Sequence, residues 1–238
     1  MFVILLLVWH FGVVLFGVKE FILPTPLAAV QTLFQSKFRW PLNFMATFYE
    51  VVGGFLVSAL VGVILGIAIV WSDWLKRIIL PFLVFLNSLP KIAVAPLFMI
   101  WFGYWILPNI LIVFLISFFP IVINTATGLV AVEEDLLDLV RCLHATKWQK
   151  MRKIQLPNSL PYIFSGLKIA ATTAVTGAIV GEFVASDKGL GSVIIASQTT
   201  LATPVIFGSL ILITIIGMVL FGFVEIMERI LMPWERQK

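Results

Sequence analysis

Apolar residues occur along this chain in runs long enough to set its architecture. Val51–Trp71 carries no charge over 21 residues and Ile92–Val132 none over 41. One membrane-crossing helix needs about 20. No stretch shows the period-two alternation of a lipid-facing barrel. The pattern predicts an all-α, polytopic membrane protein with about six spans, surrounded by membrane lipid.

The first span is expected over Phe2–Val18, followed by a polar, amphipathic stretch, Lys19–Phe48, that contains "LPTP" at Leu23–Pro26. The second span runs over Tyr49–Trp71, and "SDWLKR", Ser72–Arg77, reads as a charged turn. The third span is placed at Ile78–Trp101, with Pro90 and Pro96 predicting a kink or break inside it. "FGYWILPN" is the next turn, with Trp101, Tyr104 and Trp105 as interface anchors. The fourth, fifth and sixth spans are expected at Leu107–Val130, Tyr162–Ala185 and Val205–Ile226. "SDKGLGS", Ser186–Ser192, opens an external segment reaching Pro204, in which Gly189 and Gly191 shape a turn.

One stretch breaks the apolar pattern. From Glu133 to Lys153, nine charges fall within 21 residues. A charge at the bilayer centre costs roughly 2.5 to 3.5 kcal/mol on insertion scales, so this island lies in water or at the interface. Its five basic residues, Arg141, Lys147, Lys150, Arg152 and Lys153, point to the cytoplasm. Four spans precede it and two follow, which puts both termini in the cytoplasm. Lys76, Arg77, Arg229, Arg236 and Lys238 then fall inside, and Lys19, Lys37, Arg39 and Lys188 outside.

Within the island, Glu133, Glu134 and Asp135 suit the first turn of a helix. Leu136, Leu137, Val140 and Leu143 recur at helical spacing. "HATK" reads as a turn, Trp148, Met151 and Ile154 continue the apolar spacing, and Pro157 is expected to stop the second helix. A short helix with an apolar stripe and flanking charges suits a groove on a cytoplasmic partner. An ordinary amphipathic loop lying on the membrane is the plainer alternative.

Composition sharpens the class. The chain is 61% hydrophobic and 12% charged, where a soluble domain averages about 25% charged. The net charge of +4 sits mostly beside apolar spans, so no nucleic-acid partner is implied. Cys142 stands alone, and His10 and His144 belong to no metal motif. No phosphate-binding G-x-x-x-x-G-K-[ST] loop, H-E-x-x-H or G-x-S-x-G pattern occurs, so no catalytic residue is assigned.

The island resembles the cytoplasmic loop of importer-type permeases of ATP-binding-cassette transporters. That loop has the form E-A-A, three residues, G, nine residues, I-x-L-P. The matching positions are Asp138, Leu139 and Val140, then His144, then Ile154, Leu156 and Pro157. Asp, Leu, Val and His replace Glu, the two Ala and Gly. His tolerates the left-handed backbone that Gly would favour. "LPTP", "PLFMIWFG", "FFPIVINTATGL", "LPYIFSGLKIA" and "GEFVASDKGLG" are similar, in order, to the nitrate/sulfonate/taurine branch of these permeases.

The resemblance implies a single permease domain over 1–238. Its core covers 49–238, with a coupling loop at 133–157 and an extra N-terminal span and external segment over 1–48. It implies coupling contacts from Asp138, Leu139, Val140, Arg141, Leu143, His144, Ala145 and Trp148. The partners implied are cytoplasmic ATPase subunits carrying ATP and Mg, a second permease copy and an extracytoplasmic substrate-binding protein. No cofactor is bound by this chain itself, and the location is the bacterial inner membrane.

Polar groups at membrane depth are candidates for a solute pathway. Asn87, Ser88, Pro90 and Lys91 combine a helix break with polar side chains, and Lys91 could attract an anion or equally form a structural ion pair or snorkel to the surface. Glu182 could pair with Lys91, close an external gate or contact the binding protein. Asn124, Thr125 and Thr127 suit interhelical hydrogen bonds, and the pairs Gly62/Gly66 and Gly177/Gly181 suit close helix packing, within the subunit in the plainer reading and at a dimer interface in the alternative. An ion-coupled secondary transporter is the rival function, but no repeat relates the two halves and the docking loop would be unexplained.

Overall fold

The computed structural model describes residues 2–233, so Arg236 and Lys238 lie outside the described residues. Four of its helices are long and apolar enough to cross a membrane, and a bent pair makes a fifth. The longest uninterrupted α-helix is α3, Trp40–Trp71, which spans about 48 Å at 1.5 Å per residue. It packs on α6, Ile106–Val130, in one fixed register. Cβ atoms built at Gly54, Gly62 and Gly66 would lie 2.3, 2.8 and 2.6 Å from atoms of Val113, Ile121 and Thr125. Ser58 and Ser117 Oγ atoms meet at 2.8 Å in the same register. The constant offset means that α3 and α6 run parallel.

Parallel neighbours need a return crossing between them. It is made by α4, Asp73–Ser88, and α5, Lys91–Phe102, bent by 96°. The break falls at Leu89–Pro90, where the sequence predicts it. Pro90 lacks an N–H and restricts the residue before it. Leu83 of α4 packs against Ile69, Leu115, Phe118 and Val122, and Ala95 and Met99 of α5 against Ile112. The opposite face of both helices is exposed. The charged residues of Ser72–Arg77 are helical rather than a turn, because Asp73 opens α4 where an acid suits the helix dipole.

Next to α6 lies α9, Leu156–Ala185, antiparallel to it. Built Cβ atoms at Gly177 and Gly181 would meet Val113 and Asn109, and one at Gly166 would meet Asn124. Both small-residue pairs therefore pack within the subunit. The last long helix, α11 (Thr203–Leu231), covers α9, and Lys168 forms an ion pair with Glu228 across them. The main core joins Val51, Phe55, Val113, Ala170, Ala174, Ile213 and Ile216.

The N-terminal part is less regular. Helix α1, Phe2–Leu15, has 14 residues, about 21 Å, against a hydrocarbon core of about 30 Å. Its Trp9 ring lies 5.4 Å from Phe207 of α11. Thr25 caps the short helix α2, Pro26–Thr32, and Trp40 Nε1 donates to the Thr32 carbonyl at 2.8 Å. Helix α3 starts nine residues before the expected Tyr49, because Pro41 takes the first turn, where its missing N–H costs nothing.

Two further boundaries differ from expectation. Pro157 does not stop a helix. The four-residue helix α8, Lys147–Lys150, continues into a wider π-type turn, Met151–Gln155, and on into α9. Leu156 N–H reaches the Met151 carbonyl, and this widened turn accommodates Pro157, which has no N–H to offer. The expected external segment contains a buried helix, α10, Leu190–Thr199.

Candidate functional site

The charged island folds as a capped hairpin of helices. Its first helix, α7, spans Glu134–Cys142 and begins with acids. It ends at His144, whose φ is +52°. His144 N–H bonds to the Arg141 carbonyl at 3.0 Å and Ala145 N–H to the Val140 carbonyl at 3.2 Å. These two bonds are a Schellman motif, and the left-handed residue in it occupies the position that the loop resemblance assigns to Gly. Thr146 and Gln149 then cap α8 reciprocally, at 3.2 and 2.8 Å.

The apolar stripe divides between two surfaces. Val140 is buried and Leu137 half-buried, while Leu136, Leu139 (55% exposed) and Leu143 (71%) face outward. Asp138 and Arg141 form an exposed ion pair at 2.7 Å. Ala145 is exposed in the turn. Trp148 is exposed but leans edge-on against Trp71 at the end of α3, 6.1 Å between centroids. Gln155 and Asn158 donate to the carbonyls of Leu129 and Ala131 at 3.0 Å each. Those carbonyls belong to the end of α6, so any pull on the hairpin reaches α6 and α9 directly.

The turn is testable by itself. Left-handed backbone costs an L residue roughly 1 to 2 kcal/mol, more for a β-branched one. His144→Gly should leave the hairpin intact, whereas His144→Val should raise proteolytic cleavage at 143–146 about tenfold, from about 1.4 kcal/mol of lost closure. Equal cleavage in both variants would refute a structural role for the φ.

The helix break presents Asn87, Ser88 and Pro90 on an exposed face. Lys91 is half-buried, and its Nζ donates to Asn87 Oδ1 at 2.8 Å. It does not pair with Glu182. Thr125 packs its methyl side against Gly66, and Asn124 donates to its own helix at Pro120. Neither makes the interhelical bond expected of it: the α3–α6 approach at Gly66 brings apolar contact to Thr125, and Asn124 lies against Gly166 of α9, which has no side chain to offer. Thr127 is exposed and lines a cavity of about 620 Å³ with Val70, Asp73 and Lys76.

Glu182 instead centres a buried polar cluster at the bundle end opposite the hairpin. Thr47 Oγ1 donates to Glu182 Oε1 at 2.5 Å, and Gly191 N–H donates to Oε2. Leu190 N–H donates to Thr47 Oγ1 at 2.8 Å and Gly189 N–H to Asn43 Oδ1 at 3.0 Å. Asn109 Nδ2 donates to Glu50 Oε1 at 2.8 Å. Gly189 has φ +113°, and a Cβ there would lie 2.2 Å from Glu182 Oε1. The cluster fastens the start of α10 onto α3, α6 and α9. Sequence reasoning missed Asn43, Thr47, Glu50 and Asn109. The first three were visible as a polar stripe at helical spacing, and Asn109 as an isolated amide at the start of a span.

Comparison with known proteins places this architecture. Residues 58–237 match the family described as binding-protein-dependent transport system inner membrane component. The formylaminopyrimidine transport permease protein ThiX of Halalkalibacterium halodurans is 31% identical over 238 residues, 100% of this chain and 95% of that one. The riboflavin transport system permease protein RibX of Chloroflexus aurantiacus is 34% identical, covering 98% of this chain and 87% of that one. The fold is similar to a chain of the MetNI methionine ABC transporter, solved facing inward: TM-score 0.69, 19% identity, 82% of this chain and 98% of that one. The chain belongs to the binding-protein-dependent transport system inner membrane component family, the transmembrane permease subunits of ATP-binding-cassette importers.

Proposed function

We propose that the hairpin at 133–157 is the coupling element of this permease and seats in a cleft of a separate cytoplasmic ATPase subunit. The observation that carries this is the exposed stripe Leu136, Leu139 and Leu143 on a rigidly capped hairpin. Asp138, Arg141, His144, Ala145 and Trp148 surround the stripe or form its turn. Val140 acts from beneath, as an anchor. ATP and Mg are held by the partner, which hydrolyses the nucleotide. Its closure pulls the hairpin, and the bonds from Gln155 and Asn158 carry the pull to α6.

The hairpin end faces the cytoplasm. Among the described residues eight basic side chains gather there: Lys76, Arg77, Arg141, Lys147, Lys150, Arg152, Lys153 and Arg229. Four, Lys19, Lys37, Arg39 and Lys188, gather at the other end. The excess supports a cytoplasmic hairpin and a cytoplasmic end of α11; a cytoplasmic N-terminus would further need α1 to cross the membrane. An external binding protein then delivers cargo at the α10 end.

The pathway runs along the exposed face of α4 and α5, between this chain and a second copy. Asn87, Ser88, Pro90 and Lys91 line it at the break. Glu182 closes its outer end from behind and does not line the passage. The cargo is a small heteroaromatic solute, a reading supported by the formylaminopyrimidine and riboflavin for which ThiX and RibX are named. A small anion is the second reading, favoured by Lys91, the one charged side chain at the break.

Co-purification tests the assembly: the solubilised chain should bring down a protein with a G-x-x-x-x-G-K-[ST] loop and magnesium-dependent ATPase activity. A chain that transports solute while free of any such protein would overturn the reading. Lys91→Met should cut uptake of an anionic cargo at least tenfold, about 1.4 kcal/mol, with Lys91→Arg retaining most of it. Undiminished uptake in Lys91→Met would remove Lys91 from the pathway.

A further inference from the structure

We propose that Glu50 and Glu182 form a proton-binding site, with one proton held on Glu50, and that this acid pair is the clasp of the outer closure. Both carboxyl groups are buried, at 4% and 2% exposure. Thr47, which donates to Glu182, lies one turn from Glu50 on α3, and Asn109, which donates to Glu50, lies against Gly181 beside Glu182. Two ionised carboxylates offer only acceptors, and burying both charges in one cluster is costly, so the arrangement favours a proton on one of them.

Donor and acceptor accounting assigns the proton. Glu182 accepts on both oxygens, from Thr47 and from Gly191 N–H. It also sits at the N-terminus of the ten-residue helix α10, where negative charge is favoured. Glu182 is therefore the ionised member. Glu50 accepts only on Oε1, from Asn109. Its Oε2 and the Asn109 Oδ1 are both buried without a hydrogen-bond partner. A proton on Glu50 Oε2 turns an orphaned buried acceptor into a donor. An ionised Glu50 would leave a bare anionic oxygen buried, the arrangement proteins avoid.

The charged surroundings do not neutralise the pair in another way. Helix α6 contributes the uncharged Asn109, and α10 contributes only backbone N–H groups. Among the described residues, neither acid joins an ion pair. Glu50, Tyr104, Trp105, Asp187 and Lys188 line a cavity of about 390 Å³, from which the Glu50 Oε2 itself is buried. That cavity is the route for the proton. When α10 lifts away from α3, Oε2 opens to that cavity, its water accepts the proton, and the two like charges then oppose reclosure. Outer opening is thereby linked to proton release.

Difference infrared spectroscopy of the full-length chain in membranes tests the site and needs neither ATPase nor cargo, so its failure leaves the importer reading standing. The wild type should show a protonated-carboxyl band that shifts in D₂O. Glu50→Gln should abolish that band, and Glu182→Gln should shift it without abolishing it. A band lost in Glu182→Gln but kept in Glu50→Gln would overturn the assignment. So would a wild type without the band, or one whose melting temperature rises with sodium, which would mark a cation site. If Glu50→Gln fails to fold, Glu50→Asp takes its place: it should move the band, and a band left unmoved would overturn the assignment.

Discussion

Changing Leu139 and Leu143 together to aspartate should stop ATP-driven uptake while leaving the membrane bundle folded. Both side chains project from α7 into water, so the isolated chain loses little by the change. In the complex we propose, they are the apolar anchors available to a partner groove. Truncating a central anchor of an interface typically costs 2 kcal/mol or more, about 30-fold per site. Adding buried, unpaired charge raises that cost. ATPase binding should therefore weaken by about a thousandfold for the pair if the two sites add. Pull-down yield and uptake should fall together, with an unchanged melting temperature. Full ATPase binding by the double variant would place the docking surface elsewhere. Val140→Asp is the contrasting control: it is buried beneath the hairpin and should loosen the loop itself.

Gly54→Val should prevent folding of the bundle. A built Cβ at Gly54 lies 2.3 Å from Val113 Cβ and 3.0 Å from the Ile110 carbonyl. The clash is with the stem of a β-branched residue and with backbone, neither of which can move aside. The helices must separate, and because α3 and α6 share one register, contacts at Ser58, Gly62 and Gly66 open as well. Overpacking costs typically 1 to 3 kcal/mol and occasionally more; about 3 or above is expected here, a large share of a typical 5 to 15. A monodisperse elution peak should disappear for Gly54→Val and survive for Gly222→Ala, where nothing lies within 4 Å. Normal elution of Gly54→Val would mean that α3 and α6 do not cross as described.

Much of this was legible from residues close in sequence. The hairpin could be read because its signals are local: acids at a helix start, an apolar stripe, a turn and a His standing where a left-handed residue is needed. The break at Pro90 and the inward packing of Gly62 and Gly66 follow equally from local chemistry. What escaped was non-local. Whether Pro157 stops a helix depends on a widened turn that the preceding residues can adopt, and single-residue preferences favour the stop. The start of α3 at Trp40 was hidden because Asn43, Thr47 and Glu50 look like surface residues until α9 and α10 cover them. Glu50 meets Asn109, and Glu182 meets Thr47, only through packing. The helix α10 was missed because a ten-residue apolar stretch behind two glycines is too short to cross a membrane.

The most direct test of the central claim is solute uptake by sealed vesicles holding the purified permease, with and without its ATPase. Accumulation should require the ATPase, ATP, Mg and an intact Leu139–Leu143 surface together, with no uptake driven by a sodium or proton gradient alone. Vesicles containing only the permease that concentrate solute on an ion gradient would contradict the account and favour a secondary transporter.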